Sequence, residues 1–359
     1  MKIRRLTLLV ALAVAATSRA EAATDPVGRL LSLPIPRAVT FCGETVPLDR
    51  EDVVERLDLE LMDTLASPLR TALWLKRLPR HLPAIEATLR RRGLPQDLKF
   101  VALIESNLRD DAVSDAGAVG PWQFMRETGA AYGLERTDWR DDARNWSDAT
   151  EAALQHLSEL RQTFGSWPLA LAAYNGGQGR VRRALEAQGE SEFYGLRLPR
   201  ETERYVFRAI AAKLVVENPE AYGIQMEAAR LYFPEDVAPV EVRVERRRVP
   251  VRVLAAGAGA SYRWFLRLNP WIVGTELPRG THTLRVPKEG VAGVQPALVK
   301  WEAKNPDVRT VRYRVKRGDT LKAIARRHNV GVDEIRSWNH LGAQAVLKRG
   351  QELVLYVQD

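Results

Sequence analysis

The sequence DLKFVALIESNLRDDAVSDAGAVGPWQFMRETGAAYGL occupies residues 97–134 and is the most informative segment of the 359-residue chain. Its first part, LKFVALIE, is almost continuously apolar, which predicts a buried helix. Glu105 ends this run and shares a helical face with Leu98 and Val101, which lie seven and four residues earlier. Burial removes water from a carboxylate and raises its pKa, so Glu105 is a candidate general acid. The alternative is that Glu105 lies at the solvated edge of the helix.

The residues after Glu105 favour the catalytic alternative. Ser114 lies nine residues further on, and the small residues of 117–120 (GAVG) allow the backbone to turn tightly. An amide and aromatic side chains suited to sugar binding follow at 122–125 (WQFM). This order resembles the first motifs of the lytic transglycosylase family, which has a lysozyme-like fold. In that family a catalytic Glu followed by Ser precedes a second Ser, a Gly-Ala-x-Gly turn and a segment that contains Gln.

Two later blocks extend the resemblance. LALAAYNGG at residues 169–177 is similar to the Ala-Tyr-Asn-x-Gly block of the family. LPRETERYV at residues 198–206 is similar to the ending of the membrane-bound lytic murein transglycosylase D subgroup. The resemblance covers roughly residues 53–223.

The resemblance implies a site with one catalytic acid and base, Glu105. It also implies five groups that bond near Glu105 or contact glycan: Ser114, Gln123, Met125, Tyr174 and Asn175. A typical glycoside hydrolase needs two carboxylates, but none of the nearby acids occupies a position that the family uses; these are Asp110, Asp111 and Asp115. With one carboxylate, the C6 hydroxyl of the sugar can attack in place of water, giving a 1,6-anhydromuramic acid end.

The C-terminal segment, residues 313–357, resembles a LysM module. It predicts a strand, two helices and a second strand, with Gly318, Asp319 and Thr320 forming the turn and N-cap of the first helix. The resemblance implies a shallow groove for N-acetylglucosamine chains, lined by Asp319, Thr320, Leu321, Asn339 and Leu341. A weaker copy of the same pattern, displaced by about 70 residues, covers residues 249–287.

Composition narrows the class of protein. Hydrophobic residues make up 45% of the chain and charged residues 28%, which excludes wholesale disorder and a polytopic membrane protein. The single cysteine, Cys42, excludes an intramolecular disulfide, and the five histidines show no ligand-like pairing, so we expect neither a metal nor a cofactor. The net charge of +9 is compatible with nucleic acid, an anionic membrane surface or an anionic polymer.

The first 22 residues read as a secretory signal peptide. Three basic residues precede an apolar stretch of about eleven residues, which is too short to cross a bilayer that needs roughly 20. We therefore expect export to the periplasm or cell envelope, with no stable membrane insertion after cleavage.

The expected fold is multidomain: a mainly α, lysozyme-like catalytic domain followed by small α+β (βααβ) modules of LysM type. The predicted ranges are a signal peptide (1–22), an N-terminal helical region (23–95), the transglycosylase core (96–223), a linker with a degenerate LysM-like unit (224–300) and a LysM module (311–359).

The function expected from this organisation is peptidoglycan cleavage by a lytic transglycosylase, with peptidoglycan glycan strands as the partner. The alternatives are a peptidoglycan or chitin hydrolase that uses water, and a catalytically silent wall-binding protein. A nucleic-acid binder would use the run Arg246, Arg247 and Arg248, for which a solvated linker is the better interpretation.

Overall fold

The computed structural model describes residues 26–227, 230–245, 248–305, 308–342 and 345–358. The chain divides into two compact units, residues 1–235 and 236–359. The predicted signal peptide, residues 1–22, and the basic residues Arg246 and Arg247 lie outside the described residues.

Helices dominate the first unit. They are α1 (Pro26–Leu31), α2 (Glu51–Ala66), α3 (Pro68–Arg92), α4 (Lys99–Ser106), α5 (Arg126–Ala131), α6 (Trp146–Phe164), α7 (Trp167–Gly176), α8 (Gln178–Gln188) and α9 (Arg200–Glu217). Two short antiparallel strands, β1 (Thr40–Phe41) and β2 (Glu44–Thr45), form a hairpin before α2. The mainly helical catalytic region predicted from the sequence is confirmed.

One hydrophobic core runs through this unit. Buried side chains from Val39 to Tyr222 belong to a single cluster, which includes the apolar residues of α4. The predicted boundary between residues 95 and 96 therefore falls inside one continuous core. As a consequence α4, the helix that carries Glu105, packs against α3, which precedes it, and against α9 from the far end of the same unit.

The second unit contains two sets of a strand, two helices and a strand. The first set is β3 (Val237–Val244), α10 (Val251–Gly257), α11 (Tyr262–Leu268) and β6 (Gly280–Pro287), with a small pair β4 (Val249–Pro250) and β5 (Glu276–Leu277) between them. Helix α12 (Val291–Lys304) follows it. The second set is β7 (Val308–Arg314), α13 (Leu321–His328), α14 (Val332–Trp338) and β8 (Glu352–Gln358). In each set the outer strands pair antiparallel.

In each set an asparagine at the end of the second helix forms hydrogen bonds to the backbone of the last strand. Asn269 is fully buried and donates to the carbonyl oxygen of Arg285 at 2.8 Å, while its Oδ1 accepts from the Arg285 N–H at 2.7 Å. Asn339 makes the same pair of bonds to Val354, at 2.8 and 2.7 Å. Both amides also donate to the carbonyl oxygen four residues earlier. The region 224–300, predicted as a linker with a degenerate LysM-like unit, thus contains an ordered βααβ set with the same internal bonds as the C-terminal one.

Helix α12 packs very closely on α10. A Cβ placed on Gly293 would lie 2.2 Å from the carbonyl oxygen of Gly257, so only glycine fits at residue 293. The Gln295 side chain accepts from the Arg243 N–H, and Glu302 accepts from the Glu245 N–H. Helix α12 therefore covers an edge of β3.

Cys42 lies in the turn between β1 and β2 and is 6% exposed. Its N–H donates to Asp97 Oδ2 at 2.7 Å, and burial raises the pKa of the thiol far above its usual range. In the described ranges, no helix combines the length and apolar character that a membrane span requires.

Candidate active site

Glu105 is the next-to-last residue of α4, and it is partly buried. The hydroxyl of Tyr205, on α9, donates a hydrogen bond of 2.6 Å to Glu105 Oε1. Burial raises the pKa of Glu105 to about 7, although the Tyr205 bond and the charge of Arg208 favour the ionised form, and the charge of Glu201 adds to the increase. The carboxyl group is therefore poised to donate or accept a proton near neutral pH.

Contacts on either side of Tyr205 fix the helix that carries it. Tyr205 is 1% exposed, and its neighbour Arg204 forms a bidentate ion pair with the buried Glu60 of α2. On the same helix, Thr202 packs against α7 so closely that a Cβ on Gly176 would lie 2.7 Å from its Oγ1. Helices α2, α7 and α9 thereby hold the Tyr205 hydroxyl at Glu105.

The loop between α4 and α5 is held by the polar side chains predicted to serve the site. Ser114 Oγ accepts from the Ala118 N–H at 3.0 Å. Gln123, which has a left-handed backbone (φ 52°), donates from Nε2 to the carbonyl oxygens of Gly120 (2.8 Å) and Ala112 (3.3 Å). The bonds that the structure gives to Ser114 and Gln123 thus stabilise the loop.

Gly120 and Trp122 seat this loop on the rest of the unit. A Cβ on Gly120 would lie 1.7 Å from the Ala143 carbonyl oxygen, and the residue has φ of +84°, so a side chain is excluded there. Trp122 is fully buried, and its indole N–H donates to Thr150 Oγ1 at 2.9 Å. The close approach that the sequence predicted for the small residues is present at Gly120.

Tyr174 of α7 is near enough to Glu105 to feel the charge of its carboxylate, and His156 of α6 lies beside Tyr174. The Tyr174 hydroxyl donates to the Trp122 carbonyl oxygen at 2.8 Å. Burial, together with the charge of Glu105, raises the pKa of this phenol well above its usual range. The His156 ring lies 5.2 Å from that of Tyr174 and 4.9 Å from that of Tyr132, measured between centroids. Burial lowers the pKa of His156, which favours the neutral imidazole.

The remaining two predicted residues differ in their surroundings. Asn175 Oδ1 accepts from Thr202 Oγ1 at 2.9 Å. Met125, which precedes α5, is 41% exposed. The structure brings Glu105 and Tyr174 together, and it engages Ser114, Gln123 and Asn175 in bonds within the protein.

Sequence reasoning assigned no role to Tyr205 or His156. Tyr205 lies inside the block at residues 198–206 that carried the family resemblance, so the signal for it was present in the sequence. His156 had no such signal, because its contacts with Tyr132 and Tyr174 depend on how α6 and α7 pack.

In the C-terminal set, the residues predicted to line a glycan groove also build the fold. Asp319 accepts from the Lys316 N–H and from the Tyr313 hydroxyl, each at 2.7 Å. Thr320 caps α13 by accepting from the Ala323 N–H. The Asn339 amide is bonded to the backbone as described above. Leu321 is buried, and Leu341 packs partly buried against the same small core.

Throughout the described ranges, no group of three or more His, Cys, Asp or Glu residues is arranged to hold a metal ion. The described site comprises the Glu105 carboxyl group, the Tyr205 hydroxyl, the Tyr174 side chain and a loop rich in small residues.

Comparisons with known families agree with this geometry. The profile of the transglycosylase SLT domain matches residues 83–196, and that of the LysM domain matches residues 313–355. The chain contains an SLT transglycosylase domain and a LysM domain. Tyr205 lies outside the matched part of the SLT domain although it contacts Glu105 within it.

Membrane-bound lytic murein transglycosylase D of Escherichia coli is 32% identical over 289 residues, which is 76% of this chain and 62% of that protein. The chain thus spans less than two thirds of the length of this relative. Peptidoglycan transglycosylase gp16 of Escherichia phage T7 is 39% identical over 105 residues, 28% of this chain and 8% of that protein.

Among solved structures, lytic transglycosylase Slt from Pseudomonas aeruginosa, an inactive mutant, has 25% sequence identity. The alignment covers 43% of this chain and 26% of that one, with a TM-score of 0.32 that is too low to support an inference.

Proposed function

We propose that this protein is a peptidoglycan lytic transglycosylase that cleaves the β-1,4 bond between N-acetylmuramic acid and N-acetylglucosamine. The observation that carries the proposal is the hydrogen bond from the Tyr205 hydroxyl to the partly buried carboxyl group of Glu105, whose pKa is raised to about 7. The SLT domain and the similarity to a lytic murein transglycosylase support the same reaction class.

One carboxyl group can serve both halves of this reaction. Tyr205 occupies Oε1, so Oε2 carries the proton and gives it to the glycosidic oxygen as the bond to the leaving sugar breaks. The resulting carboxylate then accepts the proton of the muramic acid C6 hydroxyl while O6 bonds to C1. The products are a free N-acetylglucosamine 4-hydroxyl and a 1,6-anhydro ring, and no water is consumed. A pKa near 7 suits a group that must act first as acid and then as base.

Product analysis tests this proposal. Purified sacculi are incubated with the protein, and mass spectrometry of the released glycans distinguishes anhydro ends from reducing ends. We expect anhydro ends, and we expect Glu105→Gln to lose at least about a hundredfold in rate, the lower part of the range for acid and base catalysis. The amide keeps the shape of the side chain but cannot transfer the proton. A rate above about a tenth of wild type would remove Glu105 from the reaction.

A second candidate, hydrolysis by water, has one specific observation in its favour. Glu201 is the only other carboxylate of the described residues whose charge acts on the pKa of Glu105. Its side chain is 64% exposed and forms an ion pair with Arg208 at 3.1 Å. If Glu201 activated water, Glu201→Gln would abolish cleavage and wild-type products would carry reducing ends. We expect Glu201→Gln to keep most of the activity, because an exposed, ion-paired carboxylate is not needed for attack by O6.

We propose that the C-terminal unit holds the enzyme on its substrate. The match to the LysM domain supports glycan binding, and we propose that Asp319, Thr320, Leu321, Asn339 and Leu341 line the glycan groove. The shared asparagine bonds support the assignment of residues 236–304 to a second LysM-type module. In this module β4 and β5 join the two loops that correspond to the groove walls, so we assign glycan binding to the C-terminal set.

Removal of the LysM domain separates binding from catalysis. A chain that ends at Asn305 should cleave short soluble glycans at about the wild-type rate but pellet less with insoluble sacculi, because a tethered second site raises the local substrate concentration. Equal pelleting of the two forms would remove the glycan-binding assignment.

We also propose that the protein acts in the periplasm or another part of the cell envelope after removal of residues 1–22. The sequence pattern of those residues supports export, and the substrate class requires it. Protein sequencing of the N-terminus after expression in a bacterial host tests the cleavage position. Retention of Met1 in the envelope fraction would contradict it.

A further inference from the structure

The backbone directly after Glu105 has an uncommon conformation. Helix α4 ends at Ser106, and the next two residues, Asn107 and Leu108, are both left-handed, with φ of 54° and 56°. Neither is glycine, and Leu108 is 2% exposed. Left-handed backbone is rare for a bulky residue and persists only where the surroundings hold it in place. The catalytic carboxyl group is therefore two residues from a conformation that other parts of the protein must maintain.

Helix α3 supplies the groups that hold this turn. The Trp74 indole N–H donates to Asn107 Oδ1 at 2.5 Å, and Arg77 donates to the Asn107 carbonyl oxygen at 2.7 Å. Trp74 is 2% exposed, so its N–H has no access to bulk water in place of the Asn107 side chain. Trp74 and Arg77 are three residues apart and lie on one face of α3.

The Ser106 side chain fastens the same turn from the other side. Its Oγ lies 3.0 Å from the carbonyl oxygens of Ala102 and Pro121, and it accepts from the Arg109 N–H at 3.2 Å. Trp74 and Arg77, in contrast, lie upstream of residues 83–196, the range that matches the SLT domain.

We propose that Asn107, held by Trp74 and Arg77, is a positioning residue for Glu105, so that the N-terminal helix α3 is part of the catalytic machinery. This inference rests on the proposed transglycosylase function. If Asn107 leaves the left-handed conformation, the last turn of α4 either unwinds or continues as helix. Either change moves Glu105 away from the Tyr205 hydroxyl. Displacement of a reacting group by about 1 Å can lower a rate by about a hundredfold.

Two variants test the proposal in the full-length protein. Trp74→Phe keeps an aromatic ring in the core but removes the N–H, and Asn107→Gly keeps the left-handed backbone but removes the acceptor. For both we expect kcat on short soluble glycans to fall at least about tenfold, with KM nearly unchanged because each change acts through the position of Glu105. We also expect the alkaline limb of the pH profile to move to lower pH, since a displaced Glu105 is better solvated, and burial, the largest cause of its raised pKa, outweighs the loss of the Tyr205 bond.

The conservative variant and a matched control complete the experiment. Asn107→Asp keeps an acceptor for Trp74 and tolerates the left-handed backbone, so it should retain most of the activity. Asn329→Gly changes another left-handed asparagine, with φ of 51° at the end of α13, and should leave kcat unchanged. Circular dichroism verifies folding, and Trp74→Phe decides the matter if Asn107→Gly fails to fold.

The possible failures are distinguishable. Unchanged kcat and an unchanged pH profile in both variants, with an active wild type, would overturn the positioning role alone. Loss of activity without a shift of the alkaline limb, or with equal loss in Asn107→Asp, would also overturn it. A wild-type protein that releases no glycan would overturn the proposed function itself.

Discussion

Tyr205 and Glu105 are 100 positions apart in the chain, yet a single hydrogen bond joins them. That bond favours the ionised carboxylate, so its removal should raise the pKa of Glu105 above about 7. We predict that Tyr205→Phe moves the alkaline limb of the activity profile to higher pH and lowers kcat by about tenfold, because the carboxyl group also loses its orientation. The measurement is kcat between pH 5 and pH 9, a range of about two units on each side of that pKa.

A matched control exists for this variant. Tyr222→Phe also removes a partly enclosed hydroxyl, one that donates to the Pro34 carbonyl oxygen at 3.3 Å. It should leave the pH profile unchanged. If the alkaline limb of the activity profile moved to lower pH in Tyr205→Phe, the Tyr205 hydroxyl would instead stabilise the protonated form of Glu105.

The raised pKa of Glu105 also has a consequence for stability. A folded pKa of about 7 exceeds the usual value of 4.5, so the contribution of this group is complete below about pH 4.5 and is lost as the pH rises through 7. Glu105→Gln removes this loss while Gln still accepts from Tyr205. We predict that the variant is more stable than wild type by up to about 3 kcal/mol at pH 8 and nearly equal at pH 4. Urea unfolding at both pH values measures the difference in unfolding free energy. An equal gain in stability at pH 4 and pH 8 would show that it does not come from the raised pKa of Glu105.

For single residues, the sequence predicts those properties that are caused by neighbours on the same helix. The apolar residues before Glu105 predict its burial and hence its raised pKa, because they are its neighbours on one helix. Tyr205 and Trp74 could not be assigned from the sequence by the same argument, since their contacts depend on how α9 and α3 pack. The sequence also could not show that the amides of Gln123 and Asn175 are engaged with protein atoms, because an amide has the same composition whether it faces sugar or backbone.

Between elements, the asparagine that joins the second helix to the last strand is the common feature of both βααβ sets. Asn269 is fully buried, and its loss leaves the Arg285 N–H and carbonyl oxygen without their partners. We predict that Asn269→Ala lowers the free energy of unfolding of its set by about 2–3 kcal/mol. Thermal unfolding followed by circular dichroism measures the effect.

Asn305→Ala is the control for that variant. Asn305 Nδ2 donates to the Trp301 carbonyl oxygen of the adjoining helix α12, at 2.8 Å, and the residue is half-buried. Its replacement should cost less than about 1 kcal/mol. An equal loss of unfolding free energy in Asn269→Ala and Asn305→Ala would show that the bonds from Asn269 to Arg285 do not stabilise the βααβ set.

The internal repeat indicated this relationship only in part. A displacement of 70 residues places Asn269 on Asn339, but the first copy has Arg248 and Val249 where Gly318 and Asp319 form a turn. The structure explains the difference, since Val249 pairs with Leu277 in the strands β4 and β5 and that pairing takes the place of the turn. Helix α12 had no counterpart in the repeat, so a comparison of the two copies could not predict it.

Across the whole molecule, charge is divided unequally between the units. Residues 236–359 hold 23 Lys and Arg and 12 Asp and Glu, a formal charge of +11, whereas residues 1–235 hold 31 and 33, a charge of −2. Attraction to an anionic wall therefore belongs to the C-terminal unit. We predict that raised salt weakens sacculus binding of the full chain more than it slows turnover of short glycans, because the attraction is screened over about 8 Å at physiological ionic strength.

A charge reversal on β7 separates this attraction from the glycan groove. Arg312 and Arg314 are exposed and lie two residues apart on one face of the strand. The double variant R312E/R314E should bind sacculi less tightly at low salt and should depend less on salt than wild type. Salt dependence equal to that of wild type would place the attraction elsewhere in the unit.

Cys42 is the single cysteine of the chain and is buried, so the reactivity of its thiol reports local unfolding around the β1–β2 turn. A thiol that is buried and hard to ionise does not react with disulfide reagents until the β1–β2 turn separates from the rest of the core. The rate of modification at low denaturant therefore measures how often this part of the catalytic unit opens, without any introduced label. Because the native thiol is unreactive in the folded protein, a cysteine engineered on the surface would be the reactive one. Fluorescent dyes can therefore be attached there without replacing Cys42.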